Sequence, residues 1–470
     1  ITGIRINNRT MQKAVRDMNS KHMELYGYSM EDRVVEITEL RVILLGGKSV
    51  VASLSAPKKK PLRKFSTREV YFESEGFIDT PVYRRETIGL GKKIKGPAII
   101  EEMDSTTLVH PGCSLQVGVD GSLLITHSKV FVGNTIRNKD IFSAKDPATL
   151  TVVDNALRNI CDEMGSAMIR TAYSPIFSES RDFSCLLFDR FGRMIGQAEM
   201  NPAIMCAGLH TVPHCIEEVG KDNFFPGDVV VHNDPYRGQC HMPEHLLLKP
   251  VFLEKELVGF AGNIAHIGEI GGMAIGSFAS TATEVFQEGL RIPPVKLMSE
   301  GKYVKEVWRI MMANHRTPDA TWGDFHAILG SLNTAEDRLQ GLINRYGLQK
   351  FEKICDTLID HADKWMRNQI KRIPNGTYTG QDYFEDDGVV RKRYYFRSEV
   401  HVSDRDIVID LSKSDKQALG PINVTYVATA AAGCTAVLQS IKTKGVPLNS
   451  GVFKPIKVIL LSFCGKLISN

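Results

Sequence analysis

The alternation of apolar and polar positions divides this chain into two stretches with different rhythms. Met11, Val15, Met18, Met23 and Tyr26 recur at roughly helical spacing, and Gly27 offers a stop. Strand-like runs follow over 34–45, 69–72, 97–101 and 114–119. Asp120-Gly121 is a hairpin turn signal, with 122–126 as the returning strand. Residues 1–130 therefore read as a small domain of helix and strands, and the poorly patterned segment 131–145 reads as a linker. Asp146-Pro147 then has the form of a helix cap followed by proline in the first turn. Leu150, Val153, Leu157, Ile160, Met164 and Met168 follow at steps of three and four, with a stop expected near Ser174-Pro175. The methionines in that stripe read as core packing. Strands are expected over 183–188, 194–198 and 228–232, helices over 334–346 and 349–367, and mostly strand after the turn Pro374-Asn375-Gly376. The run Val458-Ile459-Leu460-Leu461 reads as a buried strand. The fold class expected is α+β: a small N-terminal α/β-strand domain, then a larger α+β domain over 146–470, rich in antiparallel strands.

Composition changes this picture little. At 470 residues, with 43% hydrophobic and 24% charged side chains and a formal net charge of +4, the chain is an ordinary globular mix and gives no argument for nucleic acid. The basic run from Lys58 to Lys64 reads as a solvated loop. Nine scattered cysteines without a CxxC pair fit reduced thiols in a cytoplasmic protein better than a disulfide framework. No apolar stretch is long enough to span a bilayer, and there is no Walker-type glycine loop for ATP. The chain opens on Ile1 in mid-pattern and closes on Asn470, which fits a piece of a longer protein.

The densest chemistry lies between Asp228 and Gly272. Apolar runs over 246–252 and 257–263 flank the polar link Leu253-Glu254-Lys255-Glu256, which is a hairpin pattern. If Phe252 pairs with Leu257, position 266 faces position 243, and His266 comes beside His241 and Glu244 at the open end. Two imidazoles and a carboxylate converging there form the ligand set of a Zn²⁺- or Mn²⁺-type site with open positions. Asp234, Glu269, His232 and His245 are candidates for further ligands, outer contacts or a general base. The competing reading is two histidines at strand ends that satisfy backbone groups. A one-residue slip of register would rotate the side chains to the other face.

The same residues carry a resemblance. Asn233-Asp234-Pro235-Tyr236, His241-Met242-Pro243-Glu244, Ala265-His266 and Ile270-Gly271-Gly272 resemble the B-type subunit of the hydantoinase/oxoprolinase family. So do Arg181-Asp182-Phe183-Ser184, the run from Glu288 to Pro294, Arg316-Thr317-Pro318 and the run from Pro447 to Gly451. The run from Gly96 to Glu102 with Asp104-Ser105-Thr106-Thr107 resembles the C-terminal domain of the family's A-type subunit. The order is A-type then B-type, as in single-chain 5-oxoprolinases.

That resemblance implies a divalent metal held by His241, Glu244 and His266, with Asp182 as an additional ligand. Glu244 stands where the family usually has aspartate, Ile267 where it often has a second histidine, and Glu269 where it usually has aspartate. It also implies that ATP, with Mg²⁺, is used in an upstream A-type ATPase domain or subunit. The expected activity is part of an ATP-dependent hydrolase of hydantoin or 5-oxoproline type cyclic amides, incomplete on its own and working in a homo- or hetero-oligomer. The alternatives are a ketone carboxylase of the acetone carboxylase type and a non-catalytic assembly partner.

Overall fold

A computed structural model describes residues 7–29, 31, 35, 62–72, 75–118, 121–127, 146–198, 200–441, 448–460 and 468–469. The strand expected over 34–45, the linker over 131–145 and most of the basic run lie outside the described residues. The chain forms two compact units, one of Glu36–Ile141 and one of Ile1–Val35 with Phe142–Asn470.

The first helix, α1 (Asn8–Tyr26), starts on a capping box between Asn7 and Thr10. It ends on Gly27 at φ 79°, the left-handed conformation that glycine adopts without a Cβ penalty. Its apolar stripe is largely exposed at Met18 and Met23. The sequence pattern grouped this helix with the strands that follow, whereas it belongs to the larger unit, where the Asn333 side chain donates to Tyr26 O at 3.1 Å.

The smaller unit is built from β1 (Ser66–Phe72), β2 (Gly76–Arg84), β3 (Lys93–Lys95), β4 (Ala98–Glu101), β5 (Thr106–Val109), β6 (Cys113–Val117) and β7 (Leu123–His127). They form one sheet in the order β1-β2-β4-β5 and another in the order β3-β6-β7. Alternation is plain in β3, where Ile94 is buried between exposed Lys93 and Lys95. Ile94 joins Ile88, Ile100, Val109 and Leu115 in this unit's own core.

The larger unit continues with α2 (Pro147–Thr171), capped by Asp146 as its sequence suggests. Then come β8 (Phe183–Asp189), β9 (Met194–Gln197), α3 (Pro202–Val219), β10 (Val229–His232), β11 (Glu244–Leu253), β12 (Glu256–His266), β13 (Val295–Ser299) and β14 (Lys302–Tyr303). After these follow α4 (Lys305–Asn314), α5 (Pro318–Tyr346), α6 (Leu348–Ile370), β15 (Gly376–Phe384), β16 (Tyr394–Ser403), β17 (Asp406–Asp410), β18 (Val424–Thr425), α7 (Tyr426–Ser440), α8 (Ser450–Phe453) and β19 (Ile456–Ile459). The class is α+β. Helices α3, α4 and α7 were not expected from the pattern. Ile459, read as part of a buried strand, is 45% exposed in β19.

The centre is a seven-stranded antiparallel sheet in the order β14-β13-β10-β11-β12-β8-β9. Its middle strands are covered on both faces, so they read as continuous apolar runs with no polar alternation. Leu247, Val251, Ala261 and Ala265 face one core, which α2 and α5 complete through Leu157, Met164 and Phe325. Leu246, Leu248, Phe260 and Ile264 face the other, completed by α3, α6 and α7. The period of two thus divides between two cores.

Candidate functional site

The hairpin β11–β12 sets the geometry of the site. Phe252 pairs with Leu257 as the sequence suggests, but a bulge lies between Val251 and Phe252, with Val251 facing Gly259. Val258 is the extra residue. From there to the open end the register is shifted by one, and Glu244, not Pro243, faces His266. The shift puts the carboxylate opposite the imidazole. Glu244 and His245 point to opposite faces. His245 Nδ1 meets Pro243 O at 3.0 Å, and its ring packs on Phe325, away from the cluster.

Three loops complete the cluster. Asn233 is buried; its amide donates to Met242 O (2.8 Å) and Leu290 O (2.9 Å), and its carbonyl accepts Ile292 N (2.6 Å). This ties the loop before β11 to the strand preceding it and fixes the backbone next to His241. Asp182 enters from the start of β8, where its carbonyl accepts the His266 N–H at 3.1 Å. Its carboxylate accepts from the Asn201 amide at 2.7 Å, while the Asn201 carbonyl caps α3 through Ala203 N and Ile204 N. The third loop brings Phe278 into stacked contact with His266, with centroids 5.7 Å apart and planes at 15°.

The outcome is a group of two imidazoles and two carboxylates. His241 Nδ1 stands 3.8 Å from Glu244 Oε2, His266 Nδ1 stands 3.8 Å from Asp182 Oδ2, and the two imidazole centroids are 5.2 Å apart. Glu244 and His266 are buried, while His241 is 43% exposed. The His241 Nδ1 and Glu244 Oε2 atoms are themselves buried and have no hydrogen-bond partner among the described residues. Burial, and after it the charge of Asp182, pushes the Glu244 carboxyl up to about 8. Burial lowers His266, and burial with the neighbouring His266 lowers His241, so both imidazoles are neutral and keep a lone pair.

Donor atoms around a tetrahedral ion with bonds of about 2.1 Å lie roughly 3.4 Å apart. The 3.8 Å gaps are wider, and among the described residues no group of three or more His, Cys, Asp or Glu stands at closed ligand spacing. The donor types and the two orphaned atoms suit a divalent cation. The distances require His241 and Asp182, the two more exposed members, to adjust.

Asp234 and Glu269 have partners of their own. Asp234 accepts from Tyr236 N at 3.0 Å and lies 3.5 Å from Arg237 Nε and 3.6 Å from Arg291 Nε. Glu269 accepts from Gly271 N, from Gly276 N at 3.1 Å and from Arg316 Nη1 at 3.0 Å. Burial opposes its ionisation, but those two N–H groups and Arg316 outweigh burial and hold it below the ordinary carboxylate range. Neither residue lines the cavity at the cluster. Gly271 and Gly272 sit at φ 86° and 78°, and a Cβ on either would come within 2.6 Å of backbone atoms.

That cavity, of about 480 Å³, has His241, Glu244 and Cys240 on one wall and Phe278, Glu288 and Ala431 on others. The sequence did not point to Asn201, Phe278 or Cys240, and it marked Glu288 only as the start of a family-like run. For Asn201 a signal existed: Asn201-Pro202 is a helix-start pair, and it marks α3.

Comparison with known proteins places the chain. Residues 146–464 match the Hydantoinase B/oxoprolinase family, and residues 20–130 match the Hydantoinase/oxoprolinase C-terminal domain. A putative B-type subunit of a D-/L-hydantoinase from Pseudomonas sp. (strain NS671) is 31% identical over 67% of this chain and 55% of its own length. A 5-oxoprolinase from Dictyostelium discoideum is 26% identical over 94% of this chain and 35% of its own. The crystal structure of the ATP-dependent caprolactamase from Pseudomonas jessenii superposes with a TM-score of 0.63 at 30% identity, covering 69% of this chain and 55% of that one. The chain thus spans about half or less of the length of these relatives. No helix among the described residues is long and apolar enough to cross a membrane. From residue 146 onward the match is to a single family, with that family's other domain before it, and the chain belongs to the hydantoinase B/oxoprolinase family.

Proposed function

We propose that this chain carries the divalent-metal half of an ATP-dependent cyclic-amide hydrolase, with His241, Glu244, His266 and Asp182 as the ligand set. The observation that carries the proposal is the pair of buried atoms without partners, His241 Nδ1 and Glu244 Oε2, beside a second His–carboxylate pair. A buried carboxyl raised to about 8 next to another carboxylate is a site short of positive charge. A bound Zn²⁺ or Mn²⁺ would supply a polarised carbonyl and a water acidic enough to ionise near neutral pH.

The chain's own residues do the rest. Asn201 holds Asp182, Phe278 covers His266 and excludes water from it, and Asn233 fixes the loop that carries His241. The cavity in front of His241 and Glu244 has the volume for a small ring such as a lactam. Asp234 and Glu269 hold the surrounding loops and act as positioning residues. ATP activation belongs, in this reading, to an A-type ATPase domain or subunit acting as partner. The Pseudomonas hydantoinase relative is one component of a multi-subunit system, and the caprolactamase is ATP-dependent; both support that division.

The test offers 5-oxoproline, hydantoin and caprolactam to the chain together with an A-type ATPase partner, ATP, Mn²⁺ or Zn²⁺, and ¹³C-bicarbonate. Ring opening without incorporation of label is the expected result. Label in the product would instead make the enzyme a carboxylase. No turnover together with no retained metal would make the chain an assembly partner.

A further inference from the structure

A second cavity in the larger unit lies away from the histidine cluster. It has a volume of about 520 Å³ and lies between the end of α1, the β13–β14 corner and the first turns of α4 and α5. Its walls are rings: Tyr28, Tyr303, Trp308, Trp322 and His326. Trp322 stacks on His326 with centroids 3.7 Å apart, and Tyr303 and Trp308 meet edge to face at 5.4 Å. His326 Nδ1 donates to Trp322 O at 2.8 Å, which leaves Nε2 as the acceptor for the Tyr303 hydroxyl at 2.9 Å. Burial lowers His326 to about 4, so this neutral tautomer holds at physiological pH and the rings are fixed before any ligand arrives.

The rim points to the kind of ligand. At the rim stand Lys305 and Arg309, four residues apart on one face of α4, exposed and without an ion pair among the described residues. Among the described residues no carboxylate lines the cavity. Aromatic walls select a flat apolar ring, and an arginine fork beside a lysine matches a carboxylate.

We infer that this cavity is a second binding site, separate from the His241–Glu244 cluster, for a planar aromatic carboxylate. The ring lies among Trp308, Trp322 and Tyr303, and the carboxylate lies against Lys305 and Arg309.

Isothermal titration of the full chain with 2-naphthoate tests this, with uncharged 2-naphthamide as the control ligand. One saturable equivalent of naphthoate is expected, with the amide at least tenfold weaker. The double variant Lys305→Gln/Arg309→Gln, which alters only exposed side chains, should weaken naphthoate at least tenfold and leave the amide unchanged. Binding should persist in His241→Ala. Absence of saturable binding, equal affinity for acid and amide, unchanged naphthoate affinity in the double variant, or loss of binding in His241→Ala would each overturn the inference.

Discussion

Glu269 offers a sharp choice between a proton acceptor and a loop clamp, and the two roles respond differently to substitution. Its carboxylate is about 5% exposed and accepts two backbone N–H groups, from Gly271 and Gly276, as well as Arg316. Replacing it with alanine leaves both amides without an acceptor. A hydrogen bond to a charged acceptor is worth about 1.5–3 kcal/mol. The Arg316 pair adds below about 1 kcal/mol, because the guanidinium is 40% exposed and keeps the carbonyls of Gly271, Gly272 and Ala274.

The sum is roughly 3–4 kcal/mol of local stability once water reaching Gly276 is allowed for, or about 10²–10³ in local opening. Hydrogen exchange with mass spectrometry of a peptide covering residues 267–280 measures it. Glu269→Ala should exchange faster by that factor and Glu269→Gln by less, since the amide retains one acceptor oxygen. The folded carboxyl is held below its unfolded value. Its contribution is therefore complete above the unfolded pKa, near 4.3, and fades as pH falls through the lower folded value. Corrected for intrinsic exchange, parent and alanine variant should differ at pH 7 and converge in acid. Unchanged protection in Glu269→Ala at pH 7 would refute the clamp and return Glu269 to the candidates for proton transfer.

Three further outcomes follow from the packing. Lys249 is buried in β11, 2.6 Å from Glu336 Oε2 and 2.6 Å from Asn333 Oδ1; Lys249→Met should cost about 3 kcal/mol in thermal or urea unfolding, with most of it recovered in Lys249→Met/Glu336→Leu. Deleting Val258 removes the bulge but leaves the same partners paired, with Glu244 still facing His266, so titration with Zn²⁺ should show a metal affinity near the parent's and far-ultraviolet circular dichroism should stay near the parent's. Asn201→Ser keeps a capping oxygen for α3 without the amide that reaches Asp182; it should preserve stability and weaken Zn²⁺ binding, whereas Asn201→Ala should also lose about 1 kcal/mol of stability by the same unfolding measurement.

The legible parts of this molecule are those governed by local rules. The Asp146-Pro147 cap, the Gly27 stop and the Phe252–Leu257 pairing depend on a few neighbouring residues, and the structure has all three. The bulge at Val258 was not legible. Nothing in Leu257-Val258-Gly259 marks an extra residue except Gly259, where a Cβ would come within 2.6 Å of Phe188 O on the next strand. Helices α3 and α7 were missed because both are rich in alanine, cysteine and other residues that bury all round, which blurs the 3.6-residue period. The family-like stretches gave the candidate site without saying what each residue does. In the structure Asn233, Gly271, Gly272 and Arg316 are staples and turns, and Asp234 belongs with them. Among the described residues that the sequence singled out as ligands or proton acceptors, His241, Glu244, His266 and Asp182 come together. Spacing could not separate holders from donors, because both lie in the same short motifs.

The central claim is that these four side chains hold a metal ion. The most direct measurement is elemental analysis of the purified chain after equilibration with Zn²⁺ or Mn²⁺ and removal of excess ion, beside His241→Ala, Glu244→Gln and His266→Ala. About one ion per parent chain is expected, and a small fraction of that in each variant, since removing one of few ligands sharply lowers affinity. Equal metal content in the parent and all three variants, or none in the parent, would contradict it.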